Sequence, residues 1–180
     1  MNLSRDPGAD PGRDPGPVDQ VDFRVAMSRL AAGVSIVTAL NAEGRPCGMT
    51  ATAVCSVSLE PPLVLASLSN GSATLAAVEE TGQFALNFLG RGEEALARRF
   101  AGLTAEKFDG VAWESGITGS PVVPDALAVC ECELDRAVLA GDHTVCIGRV
   151  VRIAVNDGVP NDPLIYFCGA YSALSGRRAP

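Results

Sequence analysis

With 180 residues, nearly half of them hydrophobic (47%), the chain has enough apolar material for one domain with a real core and too little length for two ordinary ones. A formal net charge of -7 argues against the basic stripe that displaces counterions from phosphates, so DNA and RNA are not expected partners. No apolar run approaches a membrane span, and the N-terminus has neither a basic n-region nor an apolar h-region, so a soluble cytoplasmic protein is expected.

Residues 1–17 repeat Asp-Pro-Gly at Asp6, Asp10 and Asp14 and hold too few apolar side chains to bury, which predicts a disordered tail ahead of one domain over residues 18–180. Asp19 reads as the N-cap of a helix with Phe23, Met27 and Leu30 on one face and Gly33 as its stop, a helix expected to lie on the rest of the domain. From Val34 the pattern becomes β-branched and alternating: Val34 to Leu40, a turn around Gly44, then one strand from Cys47 to Leu59. In that strand Met49, Ala51, Ala53, Cys55, Val57 and Leu59 share a core face, and Thr50, Thr52, Val54, Ser56 and Ser58 share a small, hydroxyl-rich one.

Pro61-Pro62 is read as an interruption of pairing, followed by an apolar strand from Leu63 to Leu68. A helix is predicted from Ser72 to Thr81 with Gly82 as its stop, then a strand from Phe84 to Leu89 and a helix from Glu93 to Phe100. Two long strands, Leu127 to Leu139 and Thr144 to Val155, flank the turn Ala140-Gly141-Asp142, and a last strand runs from Leu164 to Cys168. Strands dominate without strand-helix-strand alternation, which points to a mainly β, closed antiparallel barrel. The six cysteines fall mostly in apolar stretches and, with a single histidine in the chain, are read as reduced thiols, so no metal site is expected.

Neither Gly-x-Gly-x-x-Gly after a strand nor a Walker sequence is present, so a nucleotide needs another cradle. Three stretches qualify. Ser69-Asn70-Gly71-Ser72-Ala73-Thr74 opens a helix, where free N–H groups and the dipole favour an anion, although Ser72 as a plain N-cap explains the pattern equally well. The hydroxyl face at Thr50, Thr52 and Ser56 suits the edge of a flat heteroaromatic ring, or is an ordinary solvated strand face. Gly141-Asp142-His143-Thr144 holds the only histidine, but turns favour Asp and Gly on their own account, and without a nucleophile elbow hydrolysis ranks low. Arg98 and Arg99 suit a phosphate or merely a helix C-terminus.

Taken together, Phe23 to Ala39, Gly48 to Leu65 (GMTATAVCSVSLEPPLVL), Ser72 to Thr74, Phe84 to Leu89, Arg99-Phe100-Ala101, Lys107 to Gly110 (KFDG), Gly141-Asp142-His143 and Ala170 to Leu174 resemble the short-chain flavin reductases. The resemblance implies an antiparallel split β-barrel with a few short flanking helices. It also implies an NADH-dependent oxidoreductase that reduces FAD or FMN and releases the reduced flavin to a separate flavin-dependent monooxygenase. By the same resemblance, Thr50, Ala51, Thr52, Ser56 and Val57 border the flavin ring and ribityl chain, while Ser72, Ala73 and Thr74 hold the phosphate. Asn87, Arg99 and Phe100 also touch the flavin. His143, at the catalytic position, and Tyr171 lie by the nicotinamide, and His143 is expected to position the dinucleotide. A homodimer with flavin sites near the subunit interface is implied too. The alternatives are a non-catalytic flavin-binding or redox-sensing protein on the same barrel, and an enzyme that oxygenates on a permanent flavin.

Overall fold

The computed structural model describes residues 17–104 and 106–174; most of the Asp-Pro-Gly tail lies outside them. Helix α1 (Gln20–Ser28) begins as its sequence suggests, with Asp19 Oδ1 accepting from the N–H groups of Val21 and Asp22 at 2.7 and 3.4 Å. It ends five residues before Gly33, which instead pairs in the short strand β1 (Ala32–Gly33). The helix does not lie buried on the barrel: none of its residues is buried, and Phe23 and Met27 are 58% and 46% exposed.

Strands β2 (Ser35–Leu40) and β3 (Pro46–Ala51) form the expected hairpin, closed by a turn in which Asn41 Oδ1 accepts from Arg45 N–H and Gly44 takes a φ of 74°. The expected continuation to Leu59 is a separate strand, β4 (Val54–Leu59), paired with β5 (Pro62–Ser69). Thr52 and Ala53 bend the chain between them, so the predicted core face stops at Ala51. Beyond the bend Val54 packs on the core while Ala53, Cys55, Val57 and Leu59 are exposed, and the β4–β5 register shifts between Ser56 and Ser58. Pro61-Pro62 does not interrupt pairing: Leu59 faces Pro62 across a tight hairpin.

Helix α2 (Ala73–Thr81) is capped by Ser72, whose Oγ accepts from Leu75 N–H, and stops at Gly82, which is left-handed at φ 69°. Strand β6 (Gln83–Phe88), helix α3 (Glu94–Ala101), the short pair β7 (Glu114–Ser115) and β8 (Pro121–Val122), and the long hairpin β9 (Ala128–Ala140) and β10 (His143–Val155) follow. β11 (Ile165–Phe167) and β12 (Ala170–Ser172) turn through Cys168 and Gly169, both at positive φ, and join β1 in a small antiparallel sheet.

The large sheet is antiparallel throughout, in the order β3-β2-β6-β9-β10-β5-β4. Its outer strands are joined by Thr52 and Ala53 alone. Flat, seven strands would hold those edges roughly 29 Å apart, while a two-residue link spans about 10 Å at most. The sheet therefore curls until its edges meet, which makes a barrel. Val37, Leu68, Phe84, Leu86, Cys132 and Cys146 fill it, and α2 closes one opening with Leu75 and Val78. Three of the six cysteines are buried, and burial pushes the Cys132 and Cys146 thiols up to about 12 and 11, which keeps them protonated; Cys55 and Cys168 are exposed.

A second apolar cluster seats α3 on the outside of the barrel, with Phe100 against Val34, Ile36, Leu89 and Leu164. Gly48 makes that seat possible, because a Cβ there would lie 2.6 Å from the Phe100 ring.

Candidate functional site

A groove of about 360 Å³ opens between β3, the start of α2 and the loop after α3. One wall is the backbone of Cys47, Gly48 and Met49, and the facing wall is Ser72, Ala73 and Thr74. Ser72 N–H donates to Ser69 O, Leu75 N–H to Ser72 Oγ and Ala76 N–H to Ser72 O. The N–H groups of Ala73 and Thr74 have no acceptor among the described residues, as the first turn of a helix requires. Ser72 retains its hydroxyl hydrogen, since an oxygen that accepts one bond still donates another. The positive end of α2 thus presents three donors to the groove.

Lys107 supplies the cation. Its Nζ donates to Gly48 O at 3.2 Å and Phe100 O at 2.9 Å, which fastens the loop after α3 to β3 and leaves one ammonium hydrogen for a ligand. Burial pushes the Lys107 pKa below its ordinary value, while the neighbouring Cys47 thiol pulls it the other way. Arg99 holds the same loop, with Nη2 donating to Glu106 O at 3.2 Å and to Asp109 O. Phe108 packs edge-on against Phe100, with centroids 4.9 Å apart.

The remaining expected residues fall into different roles. Thr50 donates its hydroxyl to Ala97 O at 2.6 Å and so ties β3 to α3; Ala51 is buried, and Thr52, Ser56 and Val57 are exposed along the bend and β4. Asn87 and Phe100, expected at the flavin, are both fully buried in this chain. Asn87 Nδ2 donates to Ile36 O and Thr38 Oγ1 and its Oδ1 accepts from Val123 N–H, so this amide fixes the segment after β8 to the barrel. Phe100 supports the groove from beneath Gly48. Tyr171 lies on β12 beside Tyr166, with the Arg98 guanidinium 4.8 Å above its ring.

His143 opens β10 opposite Ser69. Its Nδ1 lies 2.8 Å from Asp142 Oδ1 and its Nε2 lies 3.3 Å from Ser69 Oγ; that bond holds the Asp142 carboxyl below the usual carboxylate range. Asn70 binds the same turn, through N–H to Asp142 O, Nδ2 to Gly141 O and Oδ1 from the Thr144 hydroxyl. The histidine turn and the start of α2 are therefore one fastened unit. Sequence reasoning quoted Lys107 and Gly48 inside the stretches that carry the family resemblance and gave neither of them a role at the site.

Comparison with known proteins bears on the family and the fold. The family model described as "Flavin reductase like domain" matches residues 27–175. A flavin reductase (NADH) of Kitasatospora aureofaciens is 42% identical over 159 residues, covering 87% of this chain and 83% of its own. Among solved structures, nitrilotriacetate monooxygenase component B from Mycobacterium thermoresistibile superposes with a TM-score of 0.84 at 29% identity, covering 89% of this chain and 91% of its own. The Streptomyces globisporus NADH:FAD oxidoreductase SgcE6, in complex with NAD and FAD fragments, superposes with a TM-score of 0.80 at 32% identity, covering 90% of this chain and 94% of its own. A closed antiparallel barrel, matched by the family model and by a close relative along nearly all its described length, places this chain in the flavin reductase family.

Proposed function

We propose that the protein passes a hydride from NADH to FAD or FMN and releases the reduced flavin to a separate monooxygenase. The observation that carries this is the groove: in a chain of net charge -7, the start of α2 and the ammonium of Lys107 converge on one place. That donor set fits a flavin phosphate and has little to do in a surface cap. When bound, the flavin supplies the chemistry by accepting the hydride at N5 from C4 of the reduced nicotinamide.

The chain's own residues bind and orient. Ser72, Ala73, Thr74 and Lys107 hold the phosphate end, and Thr50, Ala51, Thr52, Ser56 and Val57 line the way along β3 and β4 toward the ring. His143 and Tyr171 sit on the nicotinamide side. No protein nucleophile is required, because the hydride passes directly between two planar rings held in contact. A phosphate held by a few hydrogen bonds at an open groove also lets the product leave.

The protein acts as a homodimer, a reading supported by the exposed apolar side chains of α1. It works in the cytoplasm; no helix among the described residues is long and apolar enough to cross a membrane. The test is NADH oxidation by the purified protein with free flavin and no organic acceptor. Steady consumption that depends on added FAD or FMN is expected. A flavin that stays bound one-to-one while NADH is oxidised slowly would overturn the reading in favour of a sensor.

A further inference from the structure

We propose that Ser69 is a positioning residue for NADH: with Asp142 it clamps the His143 imidazole in one orientation and one tautomer. The inference rests on the placement of His143 beside the nicotinamide. Both ring nitrogens have partners, Nδ1 with Asp142 Oδ1 at 2.8 Å and Nε2 with Ser69 Oγ at 3.3 Å. A carboxylate only accepts, so the proton of the neutral ring resides on Nδ1, and Nε2 offers its lone pair to the Ser69 hydroxyl. A serine hydroxyl turns freely between donor and acceptor, so that contact persists if Nε2 gains a proton.

The two partners differ in what they contribute. The Asp142 side chain is 95% exposed, so water competes for its carboxylate and it sets the tautomer more than the direction of the ring. Ser69 is half-buried at the end of β5, directly opposite His143 in the ladder. Its backbone is held on both sides: Ser69 O accepts from Ser72 N–H, and the next residue, Asn70, makes three bonds to the 141–144 turn. Ser69 therefore transmits the position of the phosphate-binding turn to the imidazole, and the two ligand subsites are fixed relative to each other.

His143 is the only histidine, so in a tag-free, 15N-labelled protein a long-range 1H–15N correlation spectrum contains one imidazole. Without nucleotide the wild type should show the proton on Nδ1, against the Nε2–H preference of a free imidazole, and Asp142→Ala should return it to Nε2. A wild-type ring protonated on Nε2 would overturn the clamp with no variant needed. In kinetics, Ser69→Ala should raise the KM for NADH about three- to ten-fold, the range of one hydrogen bond, with flavin affinity and the saturated rate nearly unchanged, and Ser69→Thr should restore it. An unchanged KM, or equal losses of NADH and flavin affinity, would refute the positioning role. The spectrum is independent of the reductase reading, whereas failure of wild-type NADH oxidation would strike that reading and leave the tautomer result standing.

Discussion

Ser72 accepts from Leu75 N–H and keeps its own hydrogen to donate, so in the proposed reading the cap and the phosphate site are the same structure. Replacing Ser72 and Thr74 by alanine should weaken FMN binding by about an order of magnitude, as loss of hydrogen bonds to a charged group implies, and cost about 1 kcal/mol of stability through the cap. Riboflavin, which lacks the phosphate, should lose little affinity. Fluorescence titration of both flavins checks this, and unchanged FMN affinity would return the start of α2 to a plain cap. Lys107 adds a pH dependence. Burial lowers its folded pKa beneath the ordinary 10.5, so the ammonium costs the free fold stability that returns as pH rises through the lowered value, whereas a bound phosphate needs the proton retained. The FMN-to-riboflavin affinity ratio should accordingly fall with rising pH before 10.5 is reached. Cys47, whose thiol burial pushes upward, titrates in the alkaline range too, so Cys47→Ser is the background in which to measure it. A ratio flat to pH 10.5 would remove Lys107 from the phosphate site.

At the scale of elements, α3 sits on β3 through Phe100 over Gly48, and Gly48→Ala should cost about 1–3 kcal/mol by forcing that ring aside. Chemical denaturation measures it, and an unchanged midpoint would mean the ring moves away freely. Elements that end on special backbone chemistry were legible from residues alone: α2 between Ser72 and a left-handed Gly82, and β9–β10 around Gly141 at φ 67°. The β3–β4 boundary was not. Alternation of small residues runs unbroken across Thr52 and Ala53, and nothing local records that the partner changes from β2 to β5. For α1 the apolar stripe was plain, but a stripe states only that something covers it, not which body does so. The site shows the same division. Ser72 to Thr74 and His143 could be named as candidates from helix-start and turn composition, each beside an equally plain structural reading, while Lys107 reaches the groove only through the fold that carries the chain 35 residues onward from Ser72.

At the scale of the whole molecule, Val21, Phe23, Val25, Met27 and Leu30 all stand exposed on or just after α1, apolar side chains that a partner subunit could cover. Sedimentation at micromolar concentration should show a dimer, and Phe23→Asp with Met27→Asp should shift it toward monomer; a wild type that sediments only as monomer would count against the pairing. The order of strands carries a consequence of its own. β5 and β6 lie close in sequence, yet the sheet places β9 and β10 between them, so the middle of the barrel is built from residues 128–155. While the chain is being synthesised, everything up to β8 can form hairpins but must keep the inner edges of β5 and β6 unpaired. The barrel shuts only when β10 has cleared the ribosome through Arg149, the last residue it pairs with β5, and until then those two edges are the nascent chain's exposure to chaperones and to wrong neighbours.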